Sequence, residues 1–323
     1  MFRTQAKLQL QPLVACYIFL GFFLLVIGGE FIVRASVALS LRFNISKFVI
    51  GMTVVSFATS LPELIVSINA ALNNSPSIAI NNVVGSNIAN IGLVLALIAL
   101  LSNISVNEKS FRRDWSWMFF LSIMLWLFII TDNELNGFEG FLLIAFLVNF
   151  VYKVLKNSDS IELLNDVDDK LKLTSNFKIL IWLFISSLTL YYGAEFLVDG
   201  AVKFANQINI SEAVISVSIV AIGTSIPELA ASLVAIAKNE KGISVGNLIG
   251  SNIFNIGSVL GITAIIKDIP IADEIIQRDI IWMMVFTVLI MLLSVLPEKN
   301  KISKYNGLIM LVGYFVFIFL AFA

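Results

Sequence analysis

Ten times along these 323 residues an apolar run is long enough to cross a lipid bilayer as a helix. A helix rises about 1.5 Å per residue and the hydrocarbon core is about 30 Å thick, so roughly 17–25 apolar residues suffice. The runs lie near 13–33, 48–73, 78–101, 115–131, 138–154, 179–198, 213–237, 243–266, 280–296 and 305–323. Composition agrees, with 59% hydrophobic residues and only 13% charged, against about 25% charged in soluble domains. The expected fold is an all-α integral membrane protein with the lipid bilayer as its surroundings. The first run reads as a retained span rather than a cleaved signal peptide, because it continues past Gly28 without a small-residue cleavage site.

A net charge of −1 without a basic tail argues against nucleic-acid binding. The absence of histidine excludes a His-ligated transition metal and a His proton relay, and the lone Cys16 forms no disulfide framework. No cofactor, no covalent catalysis and no obligate protein partner is expected. Lys and Arg divide sixteen to five between alternate loops, the smaller set being Arg3, Lys7, Lys203, Lys267 and Arg278. By the positive-inside rule both termini are expected outside, and the polar stretch between residues 155 and 178 is expected to be a cytoplasmic linker.

The chain also repeats itself. Residues 28–95 and 193–260 align without a gap at an offset of 165, and 30 of the 68 positions are identical. The identities include Glu30 with Glu195, Pro62 with Pro227, Glu63 with Glu228 and Asn90 with Asn255, which chance likeness of apolar sequence would not produce. Equivalent positions of the two copies are five spans apart, an odd number, so the two enter the bilayer in opposite directions. Inverted repeats of this kind build transporters whose sites lie near the midplane, where discontinuous helices meet. The expected organisation is a first five-helix repeat at 13–154 (repeat motif 51–95), the linker at 155–178, and a second repeat at 179–323 (motif 216–260).

The repeated strings TSLPE (59–63) and TSIPE (224–228) place a carboxylate and a proline inside apolar spans. Proline removes a backbone donor, freeing the carbonyls of Ala58 and Gly223, and a midplane carboxylate is costly enough to imply function. Ser56, Thr59, Ser60, Glu63 and Ser67 share a helix face, as do Thr224, Ser225, Glu228 and Ser232. The third span adds Asn82, Ser86 and Asn90, and the eighth adds Asn247, Ser251 and Asn255. A lone Ser or Thr in a span usually bonds its own helix, and a membrane Asn is often interhelical glue. Two carboxylates among so many hard oxygen donors suit Ca²⁺ and Na⁺ rather than Zn²⁺ or Cu. Two ionised Glu balance one Ca²⁺, whereas three Na⁺ in their place leave a charge of +1. Glu30 and Glu195 lie near expected span ends, where snorkelling or pairing with a base such as Arg34 is an alternative to a functional role.

ATSLPEL with GSNIANIG, and GTSIPEL with GSNIFNIG, resemble the α-repeats of the sodium/calcium exchanger family, within the cation/calcium antiporter superfamily. The resemblance covers essentially the whole chain. It implies an antiporter that exchanges Na⁺ for Ca²⁺ by alternating access, extruding Ca²⁺ across the plasma membrane, with broken second, third, seventh and eighth spans forming the ion site. It assigns Glu63 and Glu228 as the central ligands, with Thr59, Ser60, Ser86, Asn90, Thr224, Ser225, Ser251 and Asn255 around them. Backbone carbonyls at Ser56 and Ala221 complete that set, and the first and sixth spans correspond to a sliding gate. Two positions depart from the pattern: Ala58 replaces a Gly, and Asn255 stands where many members carry Asp, which disfavours K⁺ co-transport. A Ca²⁺/H⁺ or K⁺-dependent exchanger on the same scaffold, and more remotely a cation channel, are the alternatives.

Overall fold

The computed structural model describes residues 12–105, 108–157, 169–208, 223–297 and 299–322. Among them nine helices are long and apolar enough to cross a membrane. They are α1 (Pro12–Phe43), α2 (Lys47–Leu72), α3 (Ser77–Leu101), α4 (Glu108–Asp132), α5 (Gly137–Lys156), α6 (Asn176–Gln207), α8 (Lys241–Ile266), α9 (Ile275–Val295) and α10 (Lys304–Phe322). Between α6 and α8 lies a shorter apolar helix, α7 (Ile226–Ala237). The earlier part of the seventh expected span, 213–222, is outside the described residues, as are residues 158–168 of the linker.

Helices α1 and α6 outrun their expected lengths by the most. α1 and α6 each have 32 residues, about 48 Å at the helical rise and well beyond the hydrocarbon thickness. The charged stretch after Val33 looked like a loop because Arg34 and Arg42 interrupt the apolar run. It stays helical because its buried side, Ala35, Val37 and Ala38, continues the packed face.

Short strands tie the ends of the spans together. β1 (Ile104–Ser105) pairs antiparallel with β4 (Lys301–Ile302), and β2 (Glu134–Leu135) with β3 (Ile269–Pro270). β1 follows α3 and β3 follows α8, while β2 follows α4 and β4 follows α9, so each sheet joins one strand from each copy. The β1–β4 face also holds Arg42 donating to the Thr174 carbonyl (3.0 Å), the Lys47–Glu240 ion pair (2.7 Å) and Lys241 donating to the Asn103 carbonyl (2.8 Å). The β2–β3 face holds Gly137 N–H donating to Asp268 (3.1 Å) and Arg278 donating to the Ala321 carbonyl (3.2 Å). Among the described residues, odd-numbered loops thus gather on one face and even-numbered loops, with the end of α10, on the other. Opposed faces carrying exchanged strand pairs are what an inverted duplication requires.

Equivalent turns repeat the same backbone solution. Asn74 (φ 61°) closes α2 and Asn239 (φ 59°) closes α7, both in the left-handed region that Asn tolerates through its short polar side chain. Equivalent acids are clamped alike, Asp114 by Arg113 at 2.8 Å and Asp279 by Arg278 at 2.6 Å, which extends the duplication into α4 and α9.

Enclosure sorts the helices. The apolar windows of α8 and α3 are 83% and 78% buried, against 33% for α1 and for α6. α3 and α8 are the centre, flanked by α2 and α7. α1 and α6 form a peripheral antiparallel pair in which Gly21 and Gly193 bring backbone against backbone; a Cβ on Gly21 would meet the Leu197 nitrogen at 2.7 Å. Small residues allow this approach in the membrane, where helix association rests on packing.

Candidate ion-binding site

The break in α2 follows from Pro62. A π-helical turn (Gly51–Val55) leads into a short α-segment (Ser56–Thr59); the chain then kinks at Ser60 (φ −85°, ψ 2°) and restarts at Leu61. Ser225 has nearly the same dihedrals (φ −86°, ψ 0°) ahead of the restart at Ile226. Proline is tolerated in a first turn, where its missing N–H has no partner to lose. It has none to give the Ala58 carbonyl either.

Glu63 and Glu228 therefore lie in the first turns of two helices, at the positive ends of their dipoles. Both are 0% exposed, and none of their four carboxylate oxygens has a hydrogen-bond partner among the described residues. The Ser60 and Ser225 hydroxyls, the whole Asn90 amide and the Asn255 carbonyl oxygen are likewise buried and unpartnered. Buried polar atoms in proteins are nearly always bonded. An oxygen-rich set left bonding nothing is what a cation-binding cavity requires. The Glu228 carboxylate faces the hydroxyls of Thr59, from the other copy, and of Ser251, from its own.

The copies interlock through hydroxyls. Thr59 Oγ1 lies 3.2 Å from Ser251 Oγ, and Thr224 Oγ1 lies 3.0 Å from Ser86 Oγ, the same contact with the copies exchanged. In the third and eighth spans the break takes the form of a π-helical turn rather than a kink, beginning at Asn90 in α3 and at Asn255 in α8. Such turns recur at functional sites because they displace the hydrogen-bond ladder by one residue.

The Ser56 hydroxyl donates to backbone carbonyls, lying 2.9 Å from both Gly51 O and Asn247 O, and so fastens α2 to α8. Gly250 lets this happen, since a Cβ there would overlap the Ser56 hydroxyl and the Met52 carbonyl. Ala221 lies outside the described residues.

Asn247 was visible on the polar face of the eighth span without being marked as a site residue. Its carbonyl oxygen accepts from Thr59 (3.0 Å) and its amide donates to Ser232 (3.2 Å), while the equivalent Asn82 donates to Ser67 (3.4 Å). The four-residue spacing of Asn247, Ser251 and Asn255 was the available signal. Glu30 is not an end-of-span residue but lies within α1, paired with Arg34 (2.6 Å) and with Lys238 after α7 (2.8 Å). Glu195 is exposed on α6.

Residues 13–156 and 178–323 each match the sodium/calcium exchanger protein family. The chain belongs to the sodium/calcium exchanger family. This exchanger is 35% identical over 307 residues to an uncharacterised membrane protein of Methanocaldococcus jannaschii, covering 93% of this chain and 95% of that one. It is 27% identical over 340 residues to the sodium/calcium exchanger MaX1 of Methanosarcina acetivorans, covering 94% and 97% respectively. Its fold superposes on the sodium-calcium exchanger NCX_Mj, solved after soaking in 10 mM Na⁺ without Ca²⁺, with a TM-score of 0.78, 34% identity and coverage of 94% and 97%. The family is one of transporters, so the exchanger is not an enzyme and its ions are cargo rather than cofactors.

Proposed function

We propose that this membrane protein exchanges Na⁺ for Ca²⁺ by alternating access, with one cation site built at the contact of its two copies. The observation that carries the reading is the pair of fully buried, unpartnered carboxylates, Glu63 and Glu228, set among oxygens from both repeats. Two carboxylates match the charge of Ca²⁺, and the hydroxyl and amide oxygens raise the ligand number toward the 6–8 that Ca²⁺ takes. The ligand set is Glu63 and Glu228 with Thr59, Ser60, Ser86, Asn90, Thr224, Ser225, Ser251 and Asn255, together with backbone carbonyls at Ser56 and Ala221.

Because Na⁺ and Ca²⁺ use the same oxygens, each displaces the other, and a loaded site faces one side at a time. Three Na⁺ against one Ca²⁺ moves one net charge per cycle. The α1–α6 pair supplies the moving part: it lies outside the central helices, and its glycine-lined contact lets the two helices travel together past α2 and α7. The chain is organised as repeats at 13–154 and 179–323, joined by the linker at 155–178. It sits in the plasma membrane with the β1–β4 face and the linker cytoplasmic, where the basic residues concentrate, and both termini outside. The Na⁺ gradient then drives Ca²⁺ outward.

The test is ⁴⁵Ca²⁺ flux in proteoliposomes under separately imposed Na⁺, K⁺ and H⁺ gradients. Flux that follows the Na⁺ gradient and stops without trans cation is expected. Flux that ignores Na⁺ and follows H⁺ or K⁺ overturns this reading, and net current without counter-ion marks a channel.

A further inference from the structure

Asn87 lies between the two π-turns and belongs to none of the ligand positions above. It is 1% exposed and packs in the α3–α8 contact at the centre of the fold. Its amide nitrogen donates to the backbone carbonyl of Asn252 at 3.2 Å, with the Met283 sulfur 3.7 Å away. Its amide oxygen accepts from the amide nitrogen of Asn255 at 3.1 Å.

The chemistry of these groups fixes which end of each amide points where. A backbone carbonyl only accepts, so the Asn87 atom facing Asn252 must be the NH₂. The other end of Asn87 is then an oxygen, which also only accepts, so the Asn255 atom facing it must be the NH₂ as well. The Asn255 oxygen is left pointing the opposite way. That oxygen is fully buried and bonds nothing. It lies one turn from Ser251, whose hydroxyl reaches Thr59 in the site.

We infer that Asn87 is a positioning residue, holding the Asn255 amide so that its oxygen, and not its NH₂, meets the transported cation. A cation repels an NH₂ group and is bound by a carbonyl oxygen, so a freely rotating amide would offer the wrong end in part of its population. The inference rests on the reading of Asn255 as a ligand.

The second copy supplies an internal control. Asn252 occupies the place of Asn87 at the 165-residue offset, and Asn90 the place of Asn255. Asn252 donates instead to Leu248 O in its own helix (2.7 Å), and the Asn90 amide has no partner at either end. The clamp therefore exists on one side only. Asn252→Ala removes an equally buried amide from the same motif position while keeping the backbone carbonyl that Asn87 uses.

The experiment measures half-saturating Ca²⁺ and maximal rate of Na⁺-driven ⁴⁵Ca²⁺ flux in proteoliposomes for Asn87→Ala, Asn255→Ala, the double variant and Asn252→Ala. Loss of one oriented ligand oxygen predicts about a tenfold rise in half-saturating Ca²⁺ for either Asn87→Ala or Asn255→Ala, with the maximal rate within about twofold of the parent. Because one residue acts through the other, the double variant should be no worse than either single one, and Asn252→Ala should stay within about twofold of the parent. Asn87→Leu, closer in volume, takes the place of Asn87→Ala if the latter is not monodisperse after purification. Parent-like affinity on losing Asn87, effects that multiply in the double variant, or an equal effect from Asn252→Ala would each overturn the inference. A silent Asn255→Ala beside an inactive Glu63→Gln removes Asn255 from the ligand set, and the inference with it, while leaving the exchanger reading intact. Wild-type flux that ignores Na⁺ instead overturns that underlying reading.

Discussion

Thr59 and Ser251 meet across the repeat interface with their hydroxyl oxygens 3.2 Å apart, and Thr224 and Ser86 repeat the contact at 3.0 Å with the copies exchanged. A duplicated sequence does not by itself place its copies in contact. Here the reciprocal pairs bring two kinked helices and two π-turned helices to one point, where Glu63 and Glu228 are buried without partners.

If both hydroxyls serve the cation, removing either should matter about equally. Thr59→Val and Thr224→Val keep the side-chain shape and delete the oxygen. Each should raise half-saturating Na⁺ in ⁴⁵Ca²⁺ exchange by about tenfold, the scale of one lost polar contact. A silent Thr224→Val beside a strong Thr59→Val would mean that the site uses one copy only.

Close helix approach at Gly250 should be indispensable for stability. Gly250→Ala forces α2 and α8 apart, an overpacking that costs about 1–3 kcal/mol. It should lower the thermal midpoint of the detergent-solubilised protein. Gly137→Ala is the comparison, because a Cβ there finds its nearest atom at an ordinary 3.5 Å. Equal midpoints for the two variants would contradict the packing account.

Protons should compete with cations. A carboxylate that takes up a proton loses the charge that Ca²⁺ requires, so the sign is fixed: flux should fall as pH is lowered from about 8 to about 5 at constant Na⁺ gradient. Raising Ca²⁺ should restore part of the lost rate. A flat profile over that range would argue against direct carboxylate ligation.

The two faces should label from opposite sides. In a Cys16→Ser background, cysteines placed at Asn103 and Lys299, beside β1 and β4, should react with a membrane-impermeant maleimide only from the cytoplasm. Cysteines at Asn133 and Asp273, beside β2 and β3, should react only from outside. Labelling of all four from one side would contradict the ten-span topology, and the reverse pattern would invert its orientation.

Much of this was legible in the chain itself. Glu63, Pro62 and their copies stand out because hydrocarbon makes a carboxylate and a missing N–H conspicuous, and the 165-residue offset converts two anomalies into one site. The length of α1 was not legible, since Arg34 and Arg42 look like a loop until the buried Ala35, Val37 and Ala38 show the helix continuing. The π-turns at Asn90 and Asn255 were hidden for another reason: a ladder shifted by one residue leaves the polar periodicity almost unchanged. The role of Asn247 and the clamp from Asn87 to Asn255 depend on which helices touch, and no single span carries that information. The ion pair from Glu30 to Lys238 joins residues 208 positions apart and was equally invisible.

The central claim is that one cation site needs a carboxylate from each copy. Its most direct measurement is ⁴⁵Ca²⁺ uptake into Na⁺-loaded proteoliposomes, comparing the parent protein with Glu63→Gln and with Glu228→Gln, each verified as monodisperse. The account predicts Na⁺-dependent uptake in the parent and a loss of at least about a hundredfold in either variant, as expected when a buried charged ligand is removed. Uptake near the parent level in either variant would show that its carboxylate is no part of the site, and the two-copy account would be wrong.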